Sequence, residues 1–215
     1  MKTYNPKFIL EIFQILNFEK IDYVLIRNTK NEIPFNLNIT KDIDILVNPT
    51  SRDKLLKILK KHNFRRVLHP ERFFIKLYGV NEFDKFKSKN GVLLDINYQY
   101  CVHSLTENMF VPLDKLIQNN IWLHKSNIMI DSLKVSFMGP NEYFVTYFSR
   151  LFFKDKKFNE WSKNELFDVF NKCNHDLLKK YLRLVFFKYS NHLYKFIENN
   201  YFDDLYPNFI SYSDY

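Results

Sequence analysis

The sequence predicts an α+β protein: an α/β part of roughly 137 residues followed by helices. Three observations carry that expectation. Short apolar runs of strand character, at residues 23–26, 42–47, 73–78 and 92–97, alternate with helical or polar segments in the first part. A hairpin pattern over residues 128–135 follows them. From Gly139-Pro140-Asn141 to about Asn200 the strand pattern vanishes and apolar residues recur at helical spacing. The expected division is residues 1–137 and a helical region, residues 138–215, packed on it.

Each element has its own signature. After Pro6, which suits a first helical turn, Phe8, Ile9, Ile12, Phe13, Ile15, Leu16 and Phe18 recur at helical spacing. Tyr23-Val24-Leu25-Ile26 reads as a buried strand, and the polar stretch from Asn28 to Thr40, with Pro34 inside it, as a loop. Asp42-Ile43-Asp44-Ile45-Leu46-Val47 alternates and then turns apolar. Asn48-Pro49-Thr50-Ser51 ends that strand, and Ser51 is placed to cap a helix from Arg52 to His62 whose inner stripe is Leu55, Leu56, Ile58 and Leu59. Gly79 and Gly91 punctuate the segment between the later strands, and Asp131-Ser132 is the polar turn of the hairpin. In the helical region the apolar sets are Tyr143, Phe144, Tyr147, Phe148 and Leu151, then Leu177, Leu178, Tyr181, Leu182, Val185 and Phe186.

At 215 residues, with 46% hydrophobic and 26% charged residues, the chain is long enough to bury its own core and is not of a disordered or collagen-like type. It contains no alanine, and Lys, Asn, Ile, Phe and Tyr are abundant. That bias resembles an AT-rich genome, so 18% aromatics is weak evidence for an aromatic binding face. Cys101 and Cys173 lie far apart and form no CxxC pair, which predicts a cytoplasmic protein. No uncharged apolar run of about 18 residues is present, so no membrane span is expected. Of the net charge of +8, +6 falls between Arg150 and Lys195, a balance that attracts phosphates on nucleotides, RNA or a membrane surface.

The strongest chemical signal is Asp42-Ile43-Asp44. Residues two apart on a strand share a face, so both carboxylates point one way while Ile43 and Ile45 enter the core. Two carboxylates about 4 Å apart repel by ~1 kcal/mol in water and ~4 kcal/mol near a protein surface. A divalent cation removes that conflict, and Mg²⁺ favours one or two carboxylates together with substrate phosphates. A third acid, Asp95, interrupts the apolar strand Leu93-Leu94-Asp95-Ile96. Three acids on neighbouring strands can hold two metal ions.

These segments resemble the nucleotidyltransferase superfamily, the fold of DNA polymerase beta. Its members carry a strand ending in Gly-Ser or Gly-Gly, a loop, a DxD strand and a later strand with a single Asp. Here those elements are residues 23–28, 41–47 and 93–96. The whole layout also resembles bacterial nucleotidyltransferase-like proteins, some encoded among surface-polysaccharide genes. The resemblance implies a mixed β-sheet flanked by helices with a helical C-terminal region. It implies Mg²⁺, two ions with Mn²⁺ as substitute, held by Asp42, Asp44 and Asp95 as catalytic residues. It also implies transfer of an NMP from an NTP to an acceptor hydroxyl, on a sugar or other small molecule. One departure stands out: Arg27-Asn28 replaces the Gly-Ser turn, so nucleotide phosphates would be gripped by side chains at Arg27 and Asn28. RNA as acceptor, as in the toxin-type branch of the superfamily, and a non-catalytic binding protein of this fold are the alternatives.

Other residues carry weaker signals. Lys41 alternates away from Asp42 and reads as solvated, and Asp22 reads as a turn residue. Arg72, Lys76 and Lys154-Asp155-Lys156-Lys157 are possible phosphate contacts. The six histidines show neither HExxH nor zinc spacing, and no P-loop, GxGxxG or GxSxG motif occurs.

Overall fold

The computed structural model describes residues 2–27, 32–68, 76–77, 83–104 and 109–210. In chain order the elements begin with α1 (Pro6–Phe18), β1 (Tyr23–Leu25), β2 (Asp42–Val47), a 3₁₀ turn (Pro49–Ser51) and α2 (Arg52–Lys61). Then come β3 (Arg65–Val67), β4 (Lys76–Leu77), β5 (Asp84–Lys87), β6 (Leu93–Asn97), β7 (Cys101–His103), β8 (Met109–Pro112) and α3 (Lys115–Leu123). β9 (Ser126–Ile130) and β10 (Leu133–Phe137) precede α4 (Pro140–Arg150), a π-helical turn (Leu151–Asp155) and α5 (Glu160–Phe170). The chain continues through α6 (His175–Phe186), α7 (Ser190–Glu198) and α8 (Leu205–Ile210).

These elements form two compact units. The first comprises the described residues of 1–75, 79–100 and 124–138, and the second those of 76–78, 101–123 and 139–215. The first is built on a mixed seven-stranded sheet ordered β3-β5-β6-β2-β1-β10-β9, in which β2 pairs parallel with β6 and antiparallel with β1. One face of that sheet is apolar: Ile43, Ile45 and Val47 of β2 and Leu94 and Ile96 of β6 are all fully buried there. Ile9, Ile12, Phe13 and Leu16 of α1, and Leu55, Ile58 and Leu59 of α2, complete this core. Each such side chain contributes about 1.5–3 kcal/mol by leaving water. Phe18, read as part of the apolar stripe of α1, is 85% exposed instead, because the helix ends there and its last residue falls off the buried face.

Local signals explain most boundaries. Asn5 caps α1, its side chain accepting from the Lys7 amide at 3.0 Å, and Pro6 follows at the first helical position. Ser51 is a correction: its side chain makes no capping bond to α2. Asn48 caps the preceding 3₁₀ turn instead, accepting from the Thr50 amide at 3.2 Å, and that turn runs directly into the helix. The hairpin β9–β10 forms as the pattern predicts, with Asp131 and Ser132 both at positive φ (46° and 67°), the geometry that matches the twist of its strands.

In the second unit, β4, β8 and β7 form a small separate sheet, and the remaining elements are helices. Of the expected strand at residues 73–78, only the backbone of Lys76–Leu77 lies within the described residues. The aromatic richness of the sequence goes into this unit's core. Phe144, Phe148, Phe152 and Phe186 are fully buried, with Phe148 and Phe152 edge-on to Phe186 at 5.7 and 5.0 Å between ring centroids. Among the described residues, no helix is long and apolar enough to cross a membrane.

Candidate active site

The three acids singled out by the sequence share one face of the seven-stranded sheet. On β2, Asp42 and Asp44 alternate with the buried Ile43 and Ile45, so they project from the face opposite the apolar core. The parallel pairing with β6 sets Asp44 directly across from Asp95 and Asp42 across from Leu93. Paired residues on neighbouring strands lie about 5 Å apart, so Asp95 joins the other two acids in one cluster. A cation that the sequence reading did not single out completes the row. Lys85 of β5 pairs with Asp95, and its Nζ donates to Asp42 Oδ2 at 2.7 Å. Arg27 follows the end of β1, where the Ile26 amide still donates to the Asp44 carbonyl at 3.0 Å. Its Nη1 stands 3.4 Å from Asp44 Oδ1, and Asp44 is only 6% exposed. The Arg27 Nε is buried and makes no hydrogen bond among the described residues. Asn28, its expected companion in phosphate binding, lies outside the described residues.

The architecture that carries this cluster has counterparts among solved structures. The solution structure of the antibiotic-resistance factor ANT(2'')-Ia is similar over 91% of this chain and 96% of its own, with 10% identity and a TM-score of 0.50. The chain has the nucleotidyltransferase fold. Two further likenesses are looser. The lincosamide antibiotic adenylyltransferase LnuA with lincomycin bound has 13% identity and a TM-score of 0.44 over 78% of this chain and 98% of its own. An antigenic nucleotidyltransferase-like protein from Paracoccidioides brasiliensis has 14% identity and a TM-score of 0.40 over 77% and 73%. At the level of sequence, the chain matches no protein-family model and no curated protein.

Within this nucleotidyltransferase fold the electrostatics of the acids are unequal. Burial, then the charges of Asp44 and Asp42, push the Asp95 carboxyl up to about 7, and Lys85 and Arg27 only partly offset that rise. Burial pushes Asp42 the same way, but the Lys85 ammonium, through its hydrogen bond and its charge, draws it below the usual carboxylate range. Lys85 shows the converse: burial opposes its charge, and the bond to Asp42 with the charges of Asp42, Asp95 and Asp44 raises it. Arg27 is raised too, because Asp44, Tyr100, Asp95 and Asp42 together outweigh its desolvation.

As the side chains stand, no three Asp, Glu, His or Cys among the described residues form a metal-ligating group. Asp42 turns to Lys85 and Asp44 to Arg27. The donor set nevertheless suits a hard divalent cation: three carboxylates share one sheet face, and the charge on Asp95 is opposed by its two neighbours.

The weaker signals separate cleanly. Lys41 pairs with Glu32 at the surface, and Asp22 accepts from Lys125 and, at 3.4 Å, from Asn48. Arg72 and the Lys76 side chain lie outside the described residues. Lys154 and Asp155 end the π-helical turn, and Lys156 leaves it at a φ of 53°. Lys85 was legible in principle: Asp84-Lys85-Phe86-Lys87 alternates, with Phe86 buried and Lys85 on the other face. The buried Asp84 on that strand serves structure, held by Arg66, by the Tyr98 hydroxyl at 2.9 Å and by Arg52 at 3.8 Å.

Proposed function

We propose that the protein transfers an NMP from an NTP to an acceptor hydroxyl on a small molecule, a sugar being the expected kind. The observation that carries this reading is the registered acid cluster of β2 and β6 on the sheet face opposite the apolar core of a nucleotidyltransferase fold, with Arg27 at its border. Asp42, Asp44 and Asp95 would hold Mg²⁺, with Mn²⁺ as a substitute. The bound ions supply Lewis-acid stabilisation of charge on the reacting phosphate and its leaving group. Arg27 grips phosphate oxygens of the nucleotide through its guanidinium fork. In this reading Asp95 would take the proton of the acceptor hydroxyl, a role it need not fill where a bound metal lowers that hydroxyl's pKa. The acceptor oxygen forms a bond to the α-phosphorus, the bond from that phosphorus to the bridging oxygen breaks, and pyrophosphate leaves with the electron pair.

Loading the site requires Asp42 to leave Lys85 and Asp44 to leave Arg27. Those two ion pairs favour a second reading, a binding protein of this fold in which internal cations have replaced the metal. One experiment divides the two. Calorimetry with each NTP plus Mg²⁺, on the native chain and on Asp42→Asn, should show binding that the substitution abolishes, followed by pyrophosphate release when acceptors are supplied. Equal responses from the two proteins would sink the enzymatic reading.

A further inference from the structure

Two rows of side chains cross four strands on the acid-bearing face of the sheet. Strand pairing places Asp44, Asp95, Lys85 and Val67 in one row, and Asp42, Leu93, Lys87 and Arg65 in the next. Paired residues share a face, so charge changes sign along the rows, from acids on β2 and β6 to cations on β5 and β3. At the outer end Arg65 and Lys87 stand directly opposite each other, a like-charge pair that costs stability unless an anion lies between them. Both are exposed. Among the described residues neither they nor Lys60 have a carboxylate partner, whereas Lys89 pairs with Glu11 at 3.5 Å. These four cations, with Asn63 and Asn90, line a groove of about 880 Å³; Glu11 holds Lys89 and accepts from the Asn90 amide at 3.5 Å, and no acid among the described residues lines the groove itself.

We infer that this groove binds a phosphate group carried by the acceptor, which makes the acceptor a phosphorylated small molecule such as a sugar phosphate; the inference rests on the NMP-transfer reading above. Lys87 lies two strands from β2 and Arg65 three, which is about 10 and 14 Å between backbones. Lys87 extends beside Gly91 at the turn before β6, on the end of the sheet where β2 starts at Asp42, so a phosphate between the two cations leaves the hydroxyl end of a sugar-sized acceptor room to extend along the row toward Asp42. Phosphate oxyanions then neutralise the Arg65–Lys87 pair by charge-assisted hydrogen bonds, and the unlike ends of the face select an acceptor that is anionic at one end only.

Calorimetry at low salt tests this without any turnover. The ligands are inorganic phosphate, glucose 1-phosphate, glucose and a ten-nucleotide RNA, each titrated into the native chain, into an Arg65→Gln/Lys87→Gln double variant and into Asp42→Asn. The phosphate-bearing small ligands should bind the native chain and Asp42→Asn alike, glucose should not, and the double variant should bind about tenfold more weakly. Both substituted side chains are exposed, so the double variant should melt at or above the native temperature. Equal affinity of the native chain and the double variant for glucose 1-phosphate overturns the proposal. So does RNA binding far tighter than glucose 1-phosphate and lost in the double variant, because the groove then takes a nucleic-acid backbone. If phosphate binds as expected while no NTP is ever turned over, the groove stands and the NMP-transfer reading falls.

Discussion

Asp95 shows how much of this site is decided by single side chains. Its carboxyl titrates near 7 in the folded chain, well above the ordinary 3.8, first because it is buried and then because Asp44 and Asp42 face it. A folded-state pKa raised above the unfolded one means that the folded chain holds the extra proton between roughly pH 4 and 7. Stability from this group is therefore full below about pH 4, falls as pH rises to 7, and stays low above it. Asp95→Asn removes that loss, so in metal-free buffer the variant should be more stable than the native chain at pH 8 by about 2–4 kcal/mol, and by less at pH 5. Denaturant melts across this range check it, and parallel curves for the two proteins would show that Asp95 carries no such charge conflict. Asp42 works the other way: its lowered pKa adds stability that is present above its unfolded value and lost as pH falls through the folded one. Lys85→Gln removes the ammonium that occupies Asp42. Mg²⁺ should then raise the melting temperature of the variant more than that of the native chain, since no internal cation competes for the carboxylates. A smaller shift would mean that Lys85 assists the metal rather than standing in for it.

Among the elements, legibility followed the strength of the local pattern. The DxD strand, the strand of Asp95 and the β9–β10 hairpin carry alternation that only a sheet can use, and they form where the pattern puts them. β3, β7 and β8 escaped notice because three or four residues are too few to show a period, and their pairing is set by tertiary partners. β5 escaped for another reason: two lysines and an aspartate in four residues look solvated, yet Asp84 is buried among its ion pairs and Lys85 is half-buried against the acids it faces. The sequence therefore pointed to the three acids and to Arg27 but not to Lys85, whose place depends on which strands become neighbours. The hairpin also offers a test of how closely its turn fits. Both turn residues sit at positive φ without being glycine. Ser132→Gly relieves the side chain's clash in that conformation, by about 1 kcal/mol after the added freedom of the unfolded chain is counted. It should raise the melting temperature by a few degrees. A lowered one would mean that the Ser132 side chain makes a contact worth more than the strain.

On the scale of the whole molecule, the chain does not complete one unit before starting the next. Residues 101–123 belong with the C-terminal helices, and residues 124–138 return to the first unit. The second unit thus includes a segment that lies between two strands of the large sheet in sequence. A chain of buried hydrogen bonds ties that segment in. Asn120 of α3 donates to the Tyr181 hydroxyl of α6 at 2.7 Å, and that hydroxyl donates to Glu142 Oε1 of α4 at 2.6 Å. Tyr181 is wholly buried and Glu142 is 1% exposed, so the hydroxyl links two polar groups that have little access to water. Tyr181→Phe keeps the ring and removes the link, taking the acceptor from the buried Asn120 amide and one donor from the buried Glu142 carboxylate. Desolvation without compensation should then cost about 2–4 kcal/mol, more than the ~1 kcal/mol typical of an exposed hydrogen bond. Adding Glu142→Gln should recover part of that loss, because a neutral amide is cheaper to bury beside the remaining Asn120. Equilibrium denaturation of Tyr181→Phe, of Glu142→Gln and of the double variant measures the coupling. Additive losses would show that Tyr181 and Glu142 act singly.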